Sequence, residues 1–173
     1  MTIILPGTTT EPSERSIRLD TALGNPIDNG QILEISTFEK NQFGALSKWD
    51  QSGTLRTPPT PRYNCHGMTF ASRRTGIFDS VVINKILDDD GYAEVSASQA
   101  LPGDVIIYFA PDGDAEHSGI VVSAPTSDLK IPQVVSKWGK YSEFVHWANN
   151  CPYTFATARY YRIMAKHEPT TTG

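Results

Sequence analysis

The run Asp104-Val105-Ile106-Ile107-Tyr108-Phe109-Ala110-Pro111-Asp112-Gly113-Asp114-Ala115-Glu116-His117-Ser118-Gly119-Ile120-Val121-Val122-Ser123 decides the fold class. Its two β-branched and aromatic stretches, Asp104 to Phe109 and His117 to Ser123, flank the turn cluster Pro111-Asp112-Gly113-Asp114. Strands joined by a short polar connection pair antiparallel. Pro132 to Trp138 and Ala156 to Met164 have the same character and extend the sheet. Upstream the period changes. Ser80 to Leu87 carries an apolar helical face closed by Asp88-Asp89-Asp90-Gly91. Before it, Pro58, Pro59 and Pro61 hold the chain extended to about Arg62, so Asn64 can cap a helix that starts near Cys65 and stops near Arg73-Arg74-Thr75-Gly76. Helices first and strands after predict an α+β fold, with N-terminal helices packed on one side of a C-terminal antiparallel sheet.

The remaining segments are less regular. Residues 1–16 read as a flexible lead-in, rich in Thr, Pro, Glu and Ser from Thr8 to Arg15. Ile17 to Ile35, broken by Gly24-Asn25-Pro26 and Asn29-Gly30, predicts short packing segments joined by turns. Phe38 to Trp49 has aromatics at loosely helical spacing, and residues 167–173 read as a disordered tail. A chain of 173 residues, 39% hydrophobic, suits one domain spanning 1–173. Net charge of −4 and no basic run longer than Arg73-Arg74 argue against nucleic acid. No stretch approaches the ~18 apolar residues of a membrane span. The first residues lack a basic region followed by an apolar one, which points to synthesis in a cytoplasm without a signal peptide.

Chemistry concentrates at Cys65. In the first turn of a helix, free backbone N–H groups and the helix dipole favour thiolate over thiol; the alternative is a small buried hydrophobe. Cys65 and Cys151 are too few for a disulfide framework or a zinc site, although a disulfide between them would consume the thiol. The acidic triplet Asp88-Asp89-Asp90 lacks the distal Glu of a calcium loop and reads as a solvated turn. No metal or cofactor is expected. His117 follows an acidic turn and opens an apolar strand, which predicts an imidazole at a sheet edge next to solvent.

Three segments, in order, resemble one family. Tyr63-Asn64-Cys65-His66-Gly67-Met68 is similar to the aromatic-Asp-Cys-Ser-Gly-apolar signature of NlpC-type cysteine peptidases, the cell-wall branch of the papain-like fold. Leu101-Pro102-Gly103-Asp104-Val105 resembles their Pro-Gly-Asp strand start, and His117-Ser118-Gly119-Ile120 their His-Val-Gly-Ile strand. The resemblance implies a papain-like core over residues 60–164 with Cys65 as nucleophile and His117 as general base. Asn64 and His66 depart from the family's Asp and Ser, and the role of His66 stays open. For the third position, a polar group orienting the imidazole, counting favours Ser136, with Gln133 and His146 as alternatives and a backbone carbonyl as another. The Cys65 N–H, helped by Tyr63 or Asn64, is the expected oxyanion donor, and Trp49, Tyr108, Trp138 and Trp147 are groove or core. The implied function is cleavage of an amide bond in peptidoglycan peptides, by a cell-wall enzyme or an antibacterial effector whose partners include an immunity protein or secretion-system carrier, acting in a target periplasm. A papain-like acyltransferase or deamidase, or an inactive peptide- or partner-binding module, is the alternative.

Overall fold

The structure, a computed structural model, describes residues 15–39 and 53–164. The lead-in up to residue 14, the Phe38 to Trp49 segment beyond Glu39, and the tail lie outside the described residues.

Seven strands form one antiparallel sheet: β1 (Thr54–Leu55), β2 (Tyr92–Val95), β3 (Val105–Phe109), β4 (Ala115–Ser123), β5 (Gln133–Lys137), β6 (Glu143–Trp147) and β7 (Thr157–Ile163), in the order β1-β6-β5-β4-β3-β7-β2. The α+β class holds, and helices α1 (Cys65–Phe70) and α2 (Ser80–Asp89) both lie on one face. Residues 15–31 form short segments and turns, as their sequence predicts, tied by isolated bridges of Arg15 to Gln31, Asp20 to Pro26 and Gly30 to Gly76. The sheet also recruits β1 and β2 from upstream of the expected strands.

α2 matches its predicted span, with Asp79 accepting from the Val81 N–H as N-cap. The acidic residues at its far end are not a solvated loop. Asp89 accepts from Thr21 Oγ1 (2.7 Å) and Asn25 Nδ2 (2.8 Å), and Asp90 from the Ala22 N–H (2.6 Å), so they anchor the upstream segment. No group of three or more metal-ligating side chains occurs among the described residues. No described helix is long and apolar enough to cross a membrane.

The sheet's two faces differ. Because side chains alternate across a strand, Val105 and Ile107 share the near face with Ile83 and Ile86 of α2, and Val135 with Met68 of α1. Ile106, Tyr108, Val121 and Val134 form the far face, which packs against Ala148, Cys151 and Phe155. At the near-face edge Glu143 is wholly buried. It accepts from Arg73 Nε (2.5 Å), Arg56 Nη1 (2.9 Å) and Tyr63 Oη (2.8 Å). Burial alone would raise its pKa, but the Arg73 and Tyr63 hydrogen bonds and the arginine charges outweigh it and hold the carboxyl below its ordinary range. Glu143→Gln keeps the shape and removes the charge. It is expected to cost about 2 kcal/mol in urea unfolding, since the arginines are part-exposed and can turn to water; a loss under ~0.5 kcal/mol would mean the ion pairs contribute nothing net.

Candidate active site

α1 begins where the prolines predict, with Asn64 as its cap. Asn64 Oδ1 accepts from the N–H of Gly67 (2.9 Å) and Ile77 (3.1 Å), while Nδ2 donates to Ile77 O (2.6 Å). The side chain is therefore a structural clamp that ties the start of α1 to Ile77. Tyr63 is committed to Glu143 in the same way. The helix ends at Phe70, short of the predicted Arg73 to Gly76, because Gly67 O accepts from both Ala71 and Arg73 and the chain turns back through left-handed Ser72 (φ 50) and Arg73 (φ 65).

Cys65 is the first residue of α1 and lines a cavity of about 300 Å³ with Asn64, His66, Phe78, Ser80, Asp114, Ala115 and Glu116. Both Cys65 and Cys151 are free thiols. Contrary to the sequence expectation, the resting sulfur is not favoured as thiolate. Burial pushes the Cys65 thiol up to about 11, against backbone hydrogen bonding from Ser118, His66 and Cys65 itself and the nearby Lys137 charge. Desolvation wins over the helix start.

His66, whose role was open, is a buried clamp. Its Nε2 donates to Ala115 O (3.0 Å), and its Nδ1 lies 2.9 Å from Ser118 Oγ, which is 3.0 Å from Thr69 Oγ1. These contacts fasten α1 to β4. Burial lowers the His66 pKa to about 4, so the ring stays neutral.

Ser118 also settles the orientation of its neighbour. Since Ser118 faces α1, His117 points to the far face, where its ring stacks on Tyr153 (centroids 4.3 Å apart) and lies 5.6 Å from Tyr108. It is not at a sheet edge beside solvent. β4 is the central strand and His117 has no exposed surface. Among the described residues neither ring nitrogen has a hydrogen-bond partner, so no hydrogen bond joins it to Cys65. Burial first, then the His66 and His146 charges, hold its pKa well below the ordinary value.

The chain matches no family model, no curated protein and no solved structure.

The candidates for the third position do not reach His117. His146 Nδ1 donates to Trp147 O (2.9 Å), which leaves Nε2 to accept the Ser136 hydroxyl (2.7 Å), while Trp138 Nε1 donates to Ser136 Oγ (3.0 Å). Ser136 and His146 thus satisfy each other. Gln133 pairs with Ser123, at the other end of β4. Tyr108 and Trp138 are core, Trp147 is partly exposed, and Trp49 lies outside the described residues. Two participants escaped the sequence reading, Tyr153 against His117 and the buried Lys137 on the α1 side. For Lys137 the signal was its spacing of two from Val135.

Proposed function

We propose that the protein is a cysteine hydrolase that cleaves an amide bond in peptides of the bacterial cell wall, with Cys65 as nucleophile and His117 as general base. The observation that carries this reading is the state of His117. Neither nitrogen of this buried imidazole is taken by a described protein group, which leaves both free to handle a proton, and a functional role is one reason a fold keeps such a group. Support also comes from Cys65 at a capped helix start on a cavity and from the order of the sequence motifs. No hydrogen bond joins the two side chains in the resting arrangement, so His117 must turn to reach the sulfur. The register shift in β4 just ahead of His117 is where the strand has freedom to re-aim it.

In this mechanism the Cys65 sulfur attacks the carbonyl carbon, forming a C–S bond and an oxyanion that takes hydrogen bonds from backbone N–H groups at the helix start. His117 takes the thiol proton and gives it to the leaving amine as the C–N bond breaks. Water then hydrolyses the thioester, which restores the thiol and releases the acid.

A second reading has its own support. A thiol at about 11 with no imidazole on it suits a peptide- or partner-binding module descended from such an enzyme. Mass analysis of peptidoglycan digested by the wild-type protein, Cys65→Ala and His117→Ala separates them. The hydrolase reading expects new fragments from the wild type and a loss of roughly 10³-fold or more in each variant; full activity in Cys65→Ala sinks it. Binding without cleavage would establish the module, and products joined to an added amine would establish a transferase.

A further inference from the structure

Alternation along β5 puts Lys137 on the near face with Val135, against α1. It is wholly buried. Its ammonium donates to Gly139 O (2.9 Å) and Tyr141 O and stands 5.2 Å from the ring of Tyr63, two residues ahead of Cys65. A buried lysine ordinarily pairs with a carboxylate. Its cross-strand neighbour is Glu143, but that carboxylate is taken by Arg56, Arg73 and Tyr63, and Lys137 has no ion pair among the described residues. α1 packs on β5 and starts at Cys65, and among the described residues the other acidic group whose charge bears on Lys137 is the Cys65 thiol.

We propose that Lys137 is the counter-ion of the Cys65 thiolate, a positioning residue on the near face of the sheet that supplies the charge His117, turned to the far face, does not. The assignment rests on the reading of Cys65 as a nucleophile, but thiol ionisation can be measured without any substrate. With Lys137 charged, the neighbouring sulfur ionises more readily. Burial lowers the Lys137 pKa to about 8, with the Glu143 and Cys65 charges opposing. The help is therefore present below that pH and lost above it. Among the described residues around Lys137 no other of these groups titrates there, since Tyr63 and Cys65 are raised to about 12 and 11, Glu143 is lowered, and Arg73 is raised.

The test follows iodoacetamide alkylation of Cys65 from pH 6 to 10 in a Cys151→Ser background, comparing Lys137 with Lys137→Met and Lys137→Arg. At pH 7 the methionine variant is expected to react roughly tenfold more slowly, one pKa step of thiolate population, and the arginine variant to recover part of the loss. The ratio of the two rates should collapse toward one above pH 9, a pattern that a purely packing role would not produce. Equal rates at pH 7 in a folded methionine variant overturn the proposal. Should that variant not fold, the parent profile decides: a slope that slackens near pH 8 supports the counter-ion, and a steady tenfold rise per pH unit through pH 10 refutes it. Loss of hydrolysis with this profile intact would instead remove the enzymatic reading and leave the ion pair.

Discussion

Gly67→Ala is expected to cost roughly 4 kcal/mol or to prevent folding, beyond the 1–3 kcal/mol typical of overpacking. A Cβ at Gly67 would stand 1.8 Å from Thr75 O, 2.9 Å from Thr75 C and 3.1 Å from Gly76 Cα. These are backbone atoms with no rotamer to change. The segment they belong to is also pinned. Ala71 and Arg73 donate to Gly67 O, Thr75 Oγ1 to Asn29 Oδ1 (2.8 Å), Gly76 exchanges both backbone bonds with Gly30, and Ile77 is clamped by Asn64. Moving it to admit one methyl group breaks the cap of α1 and the tie to the upstream chain together, so the position of Cys65 is lost with the stability. Gly113 is the control. Its φ of +93 strains an alanine by about 1 kcal/mol, but nothing lies within 4 Å of the added atom. Chemical denaturation of Gly67→Ala and Gly113→Ala should therefore differ by several fold in cost; equal costs would show that the close approach of residues 67 and 75 is not maintained.

The elements that sequence made legible are those whose composition carries the period. β3 is an unbroken β-branched and aromatic run, β4, β5 and β7 carry shorter ones, and α2 has both an apolar face and a capping Asp79. The start of α1 was readable from prolines and Asn64, but its end was not, because Ser72 and Arg73 adopt left-handed backbone that neither residue type announces. β1 is two residues long and β6 contains Glu143 and His146, so neither shows a strand pattern; β6 is a strand because β5 offers it a partner, and β1 because β6 in turn does. At the candidate site the sequence located Cys65 and His117 but not their relation. A period of two says that His117, Gly119 and Val121 share a face and Ser118 the other; which face α1 covers is decided by tertiary contacts, the His66 and Thr69 approaches to Ser118. The same contacts explain why the expected low-pKa thiol is absent: packing α1 tightly on β4 and β5 removes Cys65 from water.

That packing also makes the fold acid-sensitive above the range where carboxylates titrate. Stability is expected to fall as pH drops from 6.5 toward 4. His66, His117 and His146 are all buried, and burial depresses each pKa from the ordinary 6.5, His66 to about 4 and His117 well below the ordinary value. In the unfolded chain these rings take up protons near 6.5, while the folded protein resists doing so. The unfolded state then binds more protons throughout this window, so stability is fully present above 6.5 and drains as pH falls through it, levelling for His66 below about 4. For His66 alone, the gap between 6.5 and about 4 corresponds to roughly 3 kcal/mol. A domain of this size commonly holds ~5–15 kcal/mol, so this is a large share, and His117 and His146 act in the same sense. The carboxylates held low by ion pairs, Glu143 and Asp104, lose protection only at lower pH, below their ordinary values near 4. Two separate acid limbs should result. Urea midpoints measured from pH 8 to 4 should be flat down to about 6.5 and then decline steeply. In the folded protein the NMR resonances of the His66 ring should remain those of the neutral Nε2–H form through pH 5, since Ala115 O fixes that tautomer. A urea midpoint unchanged between pH 7 and 4.5 would mean that these rings are open to solvent, and would remove the tightly closed α1–β4 contact on which the placement of Cys65 depends.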